Sequence, residues 1–393
     1  MDTETQNILE KNTNNTIDNK SGCSKKINYN IYLNNLKKYS FHIVLFILFF
    51  CLLMPFFILK NNSFKSELNQ NDNSIIVHLS EFEEFHFENF DENALLKYRK
   101  QLNEFCDNPQ RHIIREYEDK IVITNVSYLS QVFQMYVYQN NDSVSSQILL
   151  MDNWEGDETS NLLTALTFFS SIKNLKNEEI YVLDIGANIG WYSLFIGKYG
   201  YNILSFEPSN VNYYVLKKNY CLNRELNVTF IKKGLYSEEK ICDYYSSSNN
   251  IGNGIVFCDK QENLTDLNKT GEALLTKLSI YQSFLLKNNL ALIKIDVEGM
   301  EAKAIEGGIQ LITKYHIPFI FLEFSPQVLI RHGTDPRKFL KFFLKNGYNI
   351  GWFNFFSDNF LSIDEIMERT GNGNMNLYIV YSKIFKKYKY NYY

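Results

Sequence analysis

From Tyr181 to Phe195 the chain reads YVLDIGANIGWYSLF: an apolar run, a turn from Gly186 to Gly190, and an apolar helix start. The next apolar run, ILSF, is followed directly by Glu207. A dinucleotide site would carry its second glycine where Asn188 stands, so that a pyrophosphate could approach the helix N-terminus. Asn188 therefore argues against that ligand, and a carboxylate at Asp184 would repel it. Asp184 suits a ligand with an amino group, and Gly186 and Gly190 let the backbone pass close to it. Glu207 can accept hydrogen bonds from both hydroxyls of a ribose. Together Asp184 and Glu207 point to S-adenosylmethionine.

A second set lies downstream. LALIKIDVEG spaces Lys294, Asp296 and Glu298 at period two, so they share one face while a strand lasts. A buried strand rarely carries an unpaired lysine, so the neighbouring carboxylates are its expected partners. An ion pair that merely closes the strand end stays open as a reading. The functional reading has Asp296 and Glu298 surround a methyl donor and its acceptor, with Asp296 also touching the cofactor. An alcohol acceptor needs a general base within hydrogen-bond reach, and Asp296, Glu298 and Glu323 qualify by position. His316 and His332 are secondary candidates. His78, His86 and His112 are too scattered for a metal site, and none is expected.

Positioning these groups falls to alternating strands and helices. Ile203 to Phe206, Val228 to Ile231, Leu290 to Val297 and Pro318 to Phe324 are short apolar runs separated by helical stretches such as NVNYYVLKKNY. This alternation predicts an α/β fold with a parallel sheet covered on both faces, whose ligands sit beyond the carboxyl ends of the strands. Asp184, Glu207, Asp296 and Glu323 all fall at those ends.

The segments VLDIGANIGWYSLFIGKYG, ILSFEPS and IKIDVEGMEAKAIEGG, in this order, resemble the FkbM family of S-adenosylmethionine-dependent methyltransferases. The resemblance covers roughly 145–385, and the IKIDVEGxE block is its most specific part. It implies a Rossmann-like class I methyltransferase fold, with a seven-stranded, mostly parallel sheet and a final antiparallel hairpin built from YNIGWFNF and NLYIVYS. It also implies methyl transfer to oxygen, often on sugars. Carried over, Asp184, Gly186, Asn188, Gly190 and Glu207 hold the cofactor.

Composition frames the rest. The 393 residues are 45% hydrophobic and 16% aromatic, enough for a substantial core, and a net charge of −4 offers no footprint for nucleic acid. Residues 1–40, rich in Asn, Thr and Lys, read as a disordered tail. Phe41 to Leu59 holds fifteen Leu, Ile, Val or Phe among nineteen residues. It would span roughly 28 Å as a helix, close to the thickness of a bilayer core. Its distance from the start and its polar flank KNNSF separate it from a signal peptide, and it predicts a single-pass anchor. Lys25, Lys26, Lys37 and Lys38 precede it whereas Lys60 and Lys65 follow, which puts the N-terminus in the cytoplasm and the larger part in a lumen, that of the Golgi or endoplasmic reticulum.

Residues 60–118, acidic and aromatic, read as a stem, and the methyltransferase domain is expected over 119–393. Cys106, Cys221, Cys242 and Cys258 allow two disulfides in any of three connectivities, or buried thiols. The predicted activity is O-methyl transfer to a hydroxyl of a glycan or glycoconjugate. A catalytically silent anchored module that keeps the fold is the other reading.

Overall fold

Alternation along the strands builds two cores from one sheet. On β3 (Tyr181–Ile185), Val182 enters one apolar cluster, while Tyr181, Leu183 and Ile185 enter another. On β4 (Asn202–Phe206), Ile203 joins the first, and Leu204 and Phe206 join the second. Period-two side chains on a sheet covered on both faces give this division.

The computed structural model describes residues 87–109, 114–140, 142–247, 250–258, 267–357 and 359–384. The tail at 1–40 and the apolar segment at 41–59 lie outside the described residues. Among the described residues no helix is long and apolar enough to cross a membrane.

The first helix, α1 (Glu92–Asp107), is capped by Asp91, which accepts from the Ala94 N–H at 2.8 Å. A hairpin of β1 (Ile121–Tyr128) and β2 (Gln131–Tyr138) follows. Then come α2 (Ser143–Met151), α3 (Gly156–Lys173) and β3. After β3 lie α4 (Trp191–Gly197), β4, α5 (Asn210–Leu222) and β5 (Val228–Ile231). A segment of β6 (Gly234–Leu235), β7 (Lys240–Ser247), β8 (Asn250–Phe257) and β9 (Asn268–Thr276) forms a second sheet, in the order β6-β9-β7-β8. The chain returns through α6 (Ser279–Lys287) to β10 (Leu290–Ile295), α7 (Glu301–Glu306) and β11 (Phe319–Phe324). It ends with α8 (Pro336–Lys345), β12 (Tyr348–Gly351), α9 (Ile363–Thr370) and β13 (Met375–Tyr381).

The main sheet has seven strands in the order β12-β13-β11-β10-β3-β4-β5. It is mixed: β11, β10, β3, β4 and β5 run parallel, whereas β13 pairs antiparallel with both β11 and β12. The order reverses between β3 and β10, which makes their carboxyl ends a switch point where such folds hold ligands.

The structure corrects the expected boundary at 119. Phe90, Leu95 and Tyr98 join one core cluster, and Leu102, Phe105 and Cys106 join the other. The acidic residues of this stretch mask a stripe at helical spacing, which buries α1 in the domain. Arg99 donates to Thr229 Oγ1 on β5 at 3.2 Å, and a disulfide joins Cys106 on α1 to Cys221 on α5. Cys242 and Cys258 form the second disulfide, across the smaller sheet.

Candidate active site

A cavity of about 300 Å³ opens at the carboxyl ends of β3, β4, β10 and β11, within the range of small-ligand sites. Asp296 N–H donates to the Ile185 carbonyl at 3.1 Å, so the turns after β3 and β10 are drawn together. Gly186 sits there with φ +79°, and a Cβ would stand 1.8 Å from the Asp296 carbonyl oxygen. Only glycine fits that crossing. Gly190 serves another purpose, since it starts α4 with φ +97° and leaves room for Leu216, away from the cavity wall.

Glu207 lines the cavity while its own position is fixed. Its Oε2 accepts from the Asn188 N–H at 2.8 Å and its Oε1 from the Ser209 N–H at 2.9 Å. Asn212 bonds the same carboxylate, which still leaves acceptor capacity for a further donor. Burial pushes the Glu207 pKa up to about 7, against the pull of those two N–H groups. Asn188 holds φ +53° in this turn, a conformation that asparagine tolerates better than most residues.

The structure moves Asp184 off the cavity wall. It is 1% exposed, accepts from Ser193 Oγ at 2.6 Å, and lies 3.6 Å from the Lys294 ammonium. Lys294 also lies 3.4 Å from Asp296 and donates to the Gly186 carbonyl at 2.7 Å. Burial opposes its charge, yet Asp296 and Asp184 outweigh burial and hold the ammonium protonated. Asp184 thus sets the glycine turn and Lys294, rather than reaching an amino group itself. The ion pair closes the strand ends, and Asp296 lines the cavity.

Asp296, Glu298 and Glu323 converge, each offering an oxygen within 4.8 Å of the others. Strand periodicity does not bring this about, because β10 ends at Ile295. Glu298 follows in a turn with φ +52° and Gly299 with φ +97°. Oxygens this close repel one another as anions, which favours a shared proton or a bound cation. Burial, then the charges of Asp296 and Glu298, push Glu323 well above the carboxylate range, and Asn374 donates to its Oε1 at 2.5 Å. Burial and Asp296 raise Glu298 to about 7, with Asn253 bonded to it. Glu323 is therefore a proton-bearing partner, while Glu298 is poised to gain or lose its proton near neutrality.

His316 stacks on Tyr381 at 4.3 Å and His332 on Phe257 at 4.9 Å, and neither lines the cavity. Several wall residues escaped the sequence reading. Glu155 holds φ +45° and accepts from Tyr192 Oη at 2.5 Å and from Asn376 at 3.1 Å. Asp142, Asn212 and the β8 residues Gly252 to Gly254 also line the cavity. They come from segments far apart in sequence, where the only local signal was the glycine and asparagine density of NNIGNG.

Residues 184–350 match the family model of the methyltransferase FkbM domain. No curated protein matches. Among solved structures, the bifunctional kinase-methyltransferase WbdD aligns at 12% identity and TM-score 0.33, over 57% of this chain and 39% of that one. This chain therefore spans less than half of WbdD. TYW2 of M. jannaschii, in complex with AdoMet, aligns at 14% identity and TM-score 0.27, over 65% and 84% of the two chains. The magnesium protoporphyrin IX methyltransferase ChlM of Synechocystis PCC 6803, with bound SAH, aligns at 13% and 0.29, over 61% and 87%. Likenesses this distant carry no weight, and the assignment rests on the family match together with the residues it contains. Those residues include Gly186, Asn188, Glu207, Lys294, Asp296 and Glu298, so the segment 184–350 is similar to the methyltransferase FkbM domain, and that similarity supports use of S-adenosylmethionine as a methyl donor.

Proposed function

We propose that the protein is a membrane-anchored O-methyltransferase acting on a hydroxyl of a glycan or glycoconjugate. The observation that carries this reading is a single cavity lined by Glu207 at one part and by Asp296, Glu298 and Glu323 at another. The first fits the ribose of the methyl donor, and the second fits a hydroxyl that must lose its proton.

S-adenosylmethionine supplies a methyl group on a cationic sulfur. Held by Glu207, it would pass that methyl group to an acceptor oxygen, with the carbon–sulfur electron pair left on sulfur as a neutral thioether. Glu298 takes the hydroxyl proton, and Asp296, held by Lys294, orients the acceptor and faces the positive charge. Glu323, pushed up by burial and by the charges of Asp296 and Glu298, lends its own proton to the cluster and lessens the negative charge beside the acceptor.

With saturating cofactor, turnover should rise between pH 6 and pH 8, since a base works only once deprotonated. The inflection should lie at or below about 7, because a bound sulfonium favours the carboxylate. A Glu298→Gln variant that keeps the same inflection would exclude Glu298 as its source. Asp296→Asn should lower turnover by roughly tenfold or more while changing cofactor affinity little. Equal losses in both would make Asp296 structural.

The apolar segment at 41–59 and the lysine asymmetry around it favour a lumenal catalytic domain, and the two disulfides favour the same oxidising compartment. Non-reducing peptide mapping of the membrane-extracted protein should recover Cys106 with Cys221 and Cys242 with Cys258. Free thiols at all four would favour the opposite orientation. The direct test of function is methyl transfer by the full-length protein from labelled S-adenosylmethionine to a panel of glycans and glycolipids. Cofactor binding without transfer to any hydroxyl would remove the O-methyl assignment. A folded protein with no affinity for the cofactor would instead be the silent anchored module.

A further inference from the structure

Among the described residues, three acceptor oxygens on residues of the cavity wall have no donor: Asp142 Oδ1, Asn188 Oδ1 and Asn250 Oδ1. A buried acceptor without a partner costs free energy, so a wall short of donors fits a ligand that brings them. The two amides can turn and present their NH2 groups instead. A carboxylate cannot, which commits Asp142.

Asp142 is 4% exposed and firmly placed. Its Oδ2 caps α2, accepting from the Ser145 N–H at 2.7 Å, and its carbonyl accepts from Ser146 Oγ at 2.6 Å. Serine or asparagine would cap the helix as well, so the cap does not account for the second oxygen. Facing that oxygen is Gly252 of β8, where a Cβ would stand 2.2 Å from Asp142 Oδ1. Gly252 does not have the positive φ that favours glycine, so its missing side chain serves space and not backbone geometry. The Gly252 carbonyl accepts from Asn212 Nδ2 at 2.8 Å, and Asn212 also bonds Glu207. Asp142 is thus linked through Gly252 and Asn212 to the carboxylate assigned to the ribose.

Adenosine offers as donors its two ribose hydroxyls and the 6-amino group of the base. Glu207 serves the hydroxyls and leaves the amino group. We infer that Asp142 Oδ1 accepts a hydrogen bond from the adenine 6-amino group, so that Asp142, outside the matched segment 184–350, reads the identity of the base. This rests on the cofactor reading above.

The test is calorimetry of the full-length protein with S-adenosylhomocysteine and with S-inosylhomocysteine, which carries a carbonyl oxygen in place of the amine. The wild type should favour the adenosyl ligand by roughly tenfold or more, because the carbonyl would face a carboxylate. Asp142→Asn keeps the cap and can donate to the carbonyl, so it should narrow or invert that preference; Asp142→Ser, also a good cap, should narrow it. Normal adenosyl binding with no base preference overturns the inference and leaves the cofactor reading standing. The same holds if both variants keep the wild-type ratio. A folded wild type that binds neither ligand overturns the cofactor reading, and this inference with it.

Discussion

Replacing Lys294 with methionine should destabilise the protein by about 3–5 kcal/mol, seen as a lower denaturation midpoint of the full-length chain. The side chain is 4% exposed and lies within 3.6 Å of Asp184 and 3.4 Å of Asp296. Methionine fills a similar volume, so the loss comes from charge rather than from a cavity. Asp184 would be left as a buried carboxylate with the Ser193 hydroxyl as its donor, and an uncompensated buried charge is costly. The Gly186 carbonyl would lose its ammonium donor as well. Adding Asp184→Asn removes the stranded charge, so the double variant should recover much of the loss. A single variant as stable as the wild type, or a double variant no better than the single, would show that the ion pair does not hold the strand ends together.

Cofactor affinity should collapse in Glu207→Ala, by about 2–4 kcal/mol, or roughly thirty- to a thousandfold in Kd. Both carboxylate oxygens are anchored by backbone N–H groups, so the wild-type side chain loses little freedom on binding a ribose. In the variant those N–H groups and the ribose hydroxyls all lose their partner. The same carboxylate predicts a pH dependence. With a pKa near 7 in the free protein, it is increasingly protonated as pH falls below 7, and a protonated acid is the poorer acceptor. Affinity should therefore be flat above pH 8 and fall by up to about tenfold per pH unit below 7. Titration calorimetry at pH 6 and pH 8 checks the sign, and affinity that rises on acidification would unseat Glu207 as the ribose ligand.

Local spacing was enough to place much of the scaffold. Apolar runs and glycine turns located β3, β4, β5, β10 and β11, and with them Glu207 and Asp296 at strand ends, because period and turn chemistry act within a few residues. Lys294 between two apolar neighbours announced its ion pairs for the same reason. What acts across the chain stayed hidden. The stripe of α1 needed the sheet it covers, and acidic residues on the outer face of that helix made it look solvated. The smaller sheet is held by a few buried side chains, Cys242, Tyr244, Val256, Ala273, Leu275 and Met300, too sparse a pattern among polar neighbours to read as strands.

Which carboxylates reach the cavity follows from packing across the chain and from nothing local. Asp184 and Glu207 look equivalent in sequence, each at a strand end. The register of Asp184 against Lys294 turns the first inward, whereas the turn at Asn188 holds the second at the wall. Glu298 and Glu323 are pushed up by burial and by the charges beside them, and neither cause exists until β10 and β11 lie side by side. Asp142 carries no motif at all. Its unpaired oxygen becomes visible only where α2, α5 and β8, distant in sequence, meet at one cavity.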